Sequence, residues 1–270
     1  MKKITVSLVM ALVLLAGNVF AEEKIRIAGA GGMITLVTEL AKAYMAENKH
    51  VVIEVNQKSI ESTGGIMSAA EGQIEIGMSA RKLKDDEKVR GLTVFEIARV
   101  ATVIGVNKSV TLKAITSEQL CRIYAGALSN WKDLNGGAEN IIPLTRPDRD
   151  ATKETVRNSL VCFKDLKEAP SVVIVPTSPE MTRLLANRPA TIGFTDAIAV
   201  DDSGGAIIGL TLDGVAPTAD SVRTGKYKII KNNFLLTKGE PRGAVKGFID
   251  FVKGPKGAKI IEANKAVAIR

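Results

Sequence analysis

Short runs of β-branched residues alternate along most of the chain with longer segments whose apolar residues repeat every three to four positions. The first pattern is typical of strands and the second of amphipathic helices. Strands are predicted over 24–28, 51–56, 74–78, 93–107, 141–145, 172–175, 191–195, 207–212 and 228–237. Helices are predicted over 33–47, 64–72, 116–125, 152–162, 178–187, 218–224, 241–253 and 255–264. Regular alternation of this kind predicts an α/β protein.

Two of these apolar runs, 93–107 and 228–237, are longer than an ordinary strand of five or six residues. We interpret them as segments that cross between two lobes. About 250 residues follow the N-terminal apolar segment, which is enough for two modest cores.

The N-terminus has the pattern of a secretory signal. Lys2 and Lys3 precede an apolar run over 4–16, and the small-residue site at 19–21 predicts cleavage after Ala21. The run is shorter than the roughly 18 residues of a membrane-spanning helix. Asn18 stands where a lipoprotein signal has cysteine. We therefore predict a soluble periplasmic or secreted protein without a lipid anchor, with residues 1–21 as its signal peptide.

The charge and aromatic content argue against nucleic acid as a partner. Loss of Lys2 and Lys3 lowers the formal net charge from +8 to +6, and the remaining basic residues are scattered rather than clustered. Trp131 is the only tryptophan, so a base-stacking platform is not indicated. This modest basic excess is compatible with steering small anions toward a cleft.

The sequence offers no recognisable catalytic or metal-binding pattern. There is no P-loop, G-x-S-x-G elbow or Ser-His-Asp set, and the acidic clusters at 85–87 and 201–202 are interpreted as solvated turns and helix starts. His50 is the only histidine, and Cys121 and Cys162 lack zinc-ligand spacing. We expect no enzymatic activity, metal or cofactor. An oxidising compartment would allow the two cysteines to pair, but the sequence does not decide whether they do.

The segment 25–44 runs from a short strand through small residues into a helix. Residues 28–32 have almost no side chain, so backbone amides can approach a ligand, and the helix directs its unpaired N–H groups to the same place. The segment is either an anion-binding loop or a tight turn without a ligand. It is not a dinucleotide fingerprint, because Ile34 occupies the position of the third glycine.

Nearly the whole chain after residue 21 resembles the periplasmic phosphate-binding proteins of phosphate ABC transporters, which have the type II periplasmic binding protein fold. The resemblance is carried, in chain order, by 25–44, 62–66 (STGGI), 76–84 (IGMSARKLK), 118–134 (EQLCRIYAGALSNWKDL), 192–194 (IGF), 213–218 (DGVAPT), 225–227 (GKY), 237–241 (TKGEP) and 248–251 (FIDF).

This resemblance implies two lobes that close over a small oxyanion, with phosphate as the leading candidate, and a monomer that delivers it to an inner-membrane permease. Lobe one would comprise 22–105 plus 206–270, and lobe two would comprise 106–205. The alternative is a divergent member without a transport ligand that acts as an envelope sensor or protein-interaction module.

The resemblance also implies four ligand-contacting loops. These comprise backbone amides at Ala30, Gly31 and Gly32; the hydroxyl groups of Ser62 and Thr63; Ser79; and Arg146, Asp150 and Thr152. All four loops depart from the family pattern, and in the first loop Ala30, Gly31 and Gly32 offer only backbone amides where the family has serine or threonine hydroxyls. Glu61 lies where glycine is customary, Ala80 replaces an acidic or hydroxyl residue, and Asp150 replaces a serine.

Asp150 has two interpretations. It either caps the helix that follows it, or it accepts a proton from the ligand.

Overall fold

The computed structural model describes residues 22–270, so the predicted signal peptide over 1–21 lies outside the described residues. Within this range the helices are α1 (Ile34–Glu47), α2 (Glu61–Ala70), α3 (Asp85–Lys88), α4 (Ser117–Tyr124), α5 (Ala151–Ser159), α6 (Ser178–Asn187), α7 (Ala197–Asp202), α8 (Ala219–Arg223), α9 (Gly243–Lys253) and α10 (Pro255–Ala263). Short 3-10 turns cover Gly31–Met33, Trp131–Leu134 and Val161–Phe163.

The strands are β1 (Glu23–Gly29), β2 (Val51–Val55), β3 (Ile76–Ser79), β4 (Leu92–Asn107), β5 (Ala114–Ile115), β6 (Ile142–Thr145), β7 (Val173–Ile174), β8 (Thr191–Asp196), β9 (Ile207–Gly209), β10 (Thr211–Leu212), β11 (Ile230–Lys238) and β12 (Val267–Ala268). The mixed α/β architecture predicted from the alternating pattern is confirmed.

Most strands form one mixed sheet in the order β2-β1-β3-β11-β4-β8-β6-β7, with β9 and β12 also paired to β4. The long strand β4 connects the two parts. Its residues 92–101 pair with β11, whereas its residues 102–106 pair with β8. One of the two predicted crossing segments, 93–107, therefore runs through both parts of the sheet, whereas β11, which covers most of the other, pairs within the described residues only with β3 and with residues 92–101 of β4.

Several predicted boundaries shift. The predicted strand 207–212 is two short strands, β9 and β10, which pair with β4 and β5 respectively. The helix predicted over 152–162 ends at Ser159, because Leu160 has extended backbone angles and a 3-10 turn follows. The helix α7 was not predicted. Its signal is Asp196, whose side chain accepts a hydrogen bond from the amide of Ala199 and so caps the helix.

Helix α2 packs unusually close to the sheet, and this closeness positions its N-terminus. A Cβ atom on Gly65 would lie 2.6 Å from the carbonyl oxygen of Met78 and 2.8 Å from Cα of Gly29. A Cβ atom on Gly77 would lie 2.5 Å from the carbonyl oxygen of Gly65. Only glycine permits this backbone approach, so the helix start is fixed directly against β1 and β3.

The two parts of the sheet have separate aromatic clusters. Tyr44 of α1 makes edge-on contacts with Phe248 and Phe251 of α9. In the other part, Tyr124 of α4 packs against Phe163 and Phe194. A disulfide bond between Cys121 and Cys162 ties α4 to the 3-10 turn that follows α5, with Cα atoms 6.1 Å apart.

Candidate anion-binding cleft

Charged side chains from both parts of the sheet meet between the start of α2 and the start of α5. Glu61 and Lys231 come from the part built on β1, β3 and β11, whereas Arg146, Asp150 and Asp196 come from the part built on β6 and β8. Two ion pairs span the gap, Arg146–Glu61 at 3.1 Å and Lys231–Asp196 at 3.6 Å. The gap is therefore a cleft lined by charged groups of both signs.

Arg146 is the most buried charge of the cleft, with 1 % of its surface exposed. It directly follows β6, and its Nη1 donates to the carbonyl oxygen of Val175 at 2.7 Å. Its Nη2 donates to Asp150 Oδ2 at 2.8 Å and to Glu61 Oε1 at 3.1 Å. Among the described residues, Arg146 Nε is one of two buried side-chain nitrogen or oxygen atoms without a hydrogen-bond partner. The guanidinium therefore has one unused donor beside the shared Nη2.

Asp150 is the N-cap of α5. Its Oδ1 accepts hydrogen bonds from the amides of Thr152 at 2.9 Å and Lys153 at 3.1 Å. Burial on its own would raise the pKa of Asp150. This effect is outweighed by the hydrogen bond from Arg146, by the positive charges of Arg146 and Lys231 and by the hydrogen bond from the backbone amide of Lys153, so the pKa is lowered. The carboxylate is thus ionised at neutral pH. It occupies the helix amides that would otherwise be free for an anion.

Glu61 reaches Arg146 from the opposite wall of the cleft. It is the first residue of α2, its φ is +60°, and its Oε1 lies 3.2 Å from Ser59 Oγ. Burial raises the pKa of Glu61, and the charge of Arg146 only partly offsets this effect. Because its Oε1 contacts Arg146, Glu61 faces the cleft, where its negative charge would oppose the binding of an anion.

The glycines of the first loop allow the two walls to approach each other. A Cβ atom on Gly31 would lie 2.7 Å from Cδ of Pro179, and one on Gly32 would lie 2.9 Å from Asp196 Oδ2. Both residues begin the 3-10 turn, where the first amides have no partner within the turn. The amide of Ala30, by contrast, donates to the carbonyl oxygen of Met78. The expectation that Ala30 offers its amide to a ligand therefore does not hold in this arrangement.

The predicted hydroxyl groups lie at the cleft wall but have protein partners. Ser62 Oγ accepts a hydrogen bond from the amide of Ala80, and Ser79 Oγ donates to the carbonyl oxygen of Arg81. Thr63 Oγ1 accepts from Nη2 of Arg81 at 3.0 Å. In this arrangement Ser62 and Thr63 connect the second loop to the third, whereas Ser79 is bonded within the third loop.

Arg81 is buried because it pairs with Glu87, through two bonds of 2.7 Å. The prediction that residues 85–87 form a solvated helix start is correct for the start of α3 at Asp85 but wrong for Glu87, which is buried. Hydrogen bonding to Arg81 lowers the pKa of Glu87 and outweighs the opposing effect of burial.

The acidic cluster at 201–202 ends α7 rather than starting a helix.

Sequence patterns missed Lys231 and Asp196. Lys231 lies on β11, is 4 % exposed, and donates to Thr152 Oγ1 at 3.3 Å. A lysine within an apolar strand is seldom buried without a carboxylate partner, which is the signal that could have drawn attention to it. Thr152 was predicted as a ligand group. The structure places it beside the buried ammonium group of Lys231.

Two cavities open onto the cleft. One, of about 350 Å³, is lined by the first loop and by residues of α6 and α7, including Gly31, Gly32 and Asp196. The other, of about 340 Å³, is lined by the start of α2 and the loop before α5, including Glu61 and Asp150.

Over residues 22–270, none of the helices combines the length and apolar character needed to span a bilayer.

Comparison with known proteins agrees with this architecture. A family profile described as a PBP superfamily domain matches residues 18–256. The phosphate-binding protein PstS of Bacillus subtilis is 30% identical over 240 residues, which cover 88% of this chain and 77% of the relative. PstS of Borreliella burgdorferi is 23% identical over the full length of both chains.

Solved structures give the same result. A Clostridium perfringens protein, assigned to the substrate-binding proteins of phosphate ABC transporters and solved with bound phosphate, superposes with a TM-score of 0.82 at 29% identity. The match covers 92% of this chain and all of the other chain. An ABC-type phosphate transport receptor from Vibrio cholerae superposes with a TM-score of 0.66 at 25% identity, over 90% and 99% of the two chains. The chain therefore belongs to the PBP superfamily and, within it, to the family of the phosphate-binding protein PstS.

Proposed function

We propose that this protein captures inorganic phosphate, or a closely similar oxyanion, in the cleft between its two lobes and presents it to the permease of an ABC importer. The observation that carries the proposal is the buried guanidinium of Arg146, which has an unused Nε donor beside Nη2. A planar guanidinium can bind two oxygens of one tetrahedral anion at the same time.

Other donors of the cleft support the same ligand. Lys231 supplies a second buried cation, and the 3-10 turn at Gly31 and Gly32 supplies backbone amides close to it. Fixed donors in a buried cleft can replace the hydration shell of a small anion. The relatives named for phosphate binding share this fold, and one was solved with phosphate bound.

The lobe boundaries are part of the proposal. The expected division is 22–105 plus 206–270 for lobe one and 106–205 for lobe two. Strand pairing supports a small adjustment, because β9 pairs with the end of β4 and β10 pairs with β5. We therefore propose that residues 207–212 move with lobe two.

Secretion and assembly also belong to the proposal. A signal peptide cleaved after Ala21 would release a periplasmic protein without a lipid anchor. A monomer that closes over its ligand would offer a changed surface to a membrane permease.

A second function is favoured by one observation. Arg146 is already paired with two carboxylates, Asp150 and Glu61, so a protein without a transport ligand is the alternative. Such a protein would act as an envelope sensor or interaction module.

Isothermal titration of the mature protein against phosphate, arsenate, sulfate and molybdate separates the two functions. Saturable binding of phosphate with preference over sulfate is expected for the transport receptor. No heat of binding with any of the four anions would contradict it and favour the ligand-free alternative.

A further inference from the structure

Glu61 makes one of the two ion pairs that span the cleft, and it is the partner of the most buried cation there. Its Oε1 lies 3.1 Å from Arg146 Nη2, and 35% of its side chain is exposed whereas only 1% of the arginine side chain is exposed. The bond joins the first turn of α2 to the end of β6, which belong to different parts of the sheet. A carboxylate oxygen is thus held where an oxyanion would contact the same nitrogen.

The backbone at Glu61 makes this placement costly. A φ of +60° is unfavourable for a residue with a side chain and is readily adopted by glycine. The hydrogen bond between Glu61 and Ser59 fixes the carboxylate further. A strained residue that projects an acid into a cleft for anions requires an explanation beyond starting a helix.

Among the described carboxylates of the cleft, Glu61 is the one without a capping role. The buried or half-buried groups are two cations, Arg146 and Lys231, and three carboxylates, Glu61, Asp150 and Asp196. Asp150 caps α5 and Asp196 caps α7, so each has a structural role within its own lobe. The carboxylate of Glu61 is bonded to Ser59 and Arg146 instead, and over residues 22–270 it caps no helix.

We propose that the carboxylate of Glu61 is an internal substitute for the anion, which ties the two lobes together through Arg146 and must be displaced when an oxyanion binds. The tie stands independently of the ligand, whereas the displacement step rests on the proposed function. Removing Glu61 should loosen the lobes of the ligand-free protein and should strengthen anion binding, because a competing negative charge leaves the site.

The tie is tested by small-angle X-ray scattering on extensively dialysed protein. Glu61→Gly is the first variant, since glycine accepts a φ of +60°, and Glu61→Ala is the second. Glu71→Ala is the matched control, because Glu71 follows the last residue of the same helix and is exposed. A larger radius of gyration is expected for both Glu61 variants and not for the control. Equal radii for wild type and Glu61→Gly would overturn the tie.

The displacement step is tested by isothermal titration of the same proteins with inorganic phosphate. Glu61→Gly is expected to bind about tenfold more tightly than wild type, with Glu71→Ala unchanged. Equal affinity of wild type and Glu61→Gly would overturn the displacement. If neither protein binds phosphate, the proposed function fails, and the scattering result still decides whether Glu61 ties the lobes.

Discussion

Asp150 Oδ2 lies 2.8 Å from Arg146 Nη2, four residues earlier in the chain, and both side chains are almost fully buried. The other oxygen of the same carboxylate caps α5. One aspartate therefore holds the two elements of the cleft that would otherwise be most available to an anion, the guanidinium and the helix N-terminus. Asp150 thus caps the helix, as one of its two interpretations predicted, and at the same time pairs with the arginine.

Asp150→Ser is expected to raise phosphate affinity by about tenfold. Serine keeps an N-cap oxygen for α5, while the substitution removes a negative charge from beside Arg146. Isothermal titration with phosphate and sulfate measures the change, with Asp148→Ser as the control because Asp148 lies exposed in the same loop. A weaker affinity for phosphate accompanied by a gain for sulfate would instead show that Asp150 accepts a ligand proton.

Arg146→Lys is expected to weaken phosphate binding at least about tenfold. Lysine retains the charge but loses the planar pair of donors and the bond from Nη1 to Val175. Titration of Arg149→Lys, an exposed neighbour in the same loop, controls for the general loss of an arginine. An unchanged dissociation constant for Arg146→Lys would place the anion elsewhere.

The Cys121–Cys162 disulfide is expected to stabilise the protein by about 2 to 4 kcal/mol, because it closes a long loop between α4 and the turn after α5. Urea unfolding of Cys121→Ser/Cys162→Ser against wild type measures the difference in the free energy of unfolding. Titration of the denatured, non-reduced wild type should detect no free thiol. Two reactive thiols per chain would contradict the prediction.

The Arg81–Glu87 ion pair is expected to stabilise the protein at neutral pH and to lose this contribution in acid. Its hydrogen bonds lower the pKa of Glu87 below the ordinary glutamate value of about 4.3. In acid the unfolded state therefore binds the proton more readily, so the contribution is complete above about pH 5 and is lost as pH falls through the folded-state pKa.

Glu87→Gln should accordingly be less stable than wild type at pH 7, and the difference should narrow as pH is lowered toward 3. Urea unfolding at several pH values measures it, and Glu262→Gln serves as the control because that glutamate is exposed on α10. If the difference in the free energy of unfolding between wild type and Glu87→Gln stays constant with pH, the ion pair does not lower the pKa of Glu87 in the folded protein.

The sequence by itself determined the class of the fold and most of its elements, because burial against a sheet imposes a repeat that is visible locally. The strand over 93–107 and the helix over 33–47 are found within one residue at each end. The compact loop at Gly31 and Gly32 and the cleft position of Arg146 also followed from local sequence and family resemblance. Helix α7 escaped because six residues are too few for a clear helical repeat.

Only the tertiary structure decided which charges meet. Glu61 and Arg146 are 85 positions apart, and Thr152 and Lys231 are 79 apart, so no spacing rule connects them. The local sequence showed Asp150 as a cap or a ligand group, whereas its second bond to Arg146 depends on how β6 delivers the arginine to the start of α5. The physical reason is that a buried ionised side chain needs a partner, and for Glu61, Arg146 and Lys231 the fold brings that partner from a distant part of the chain.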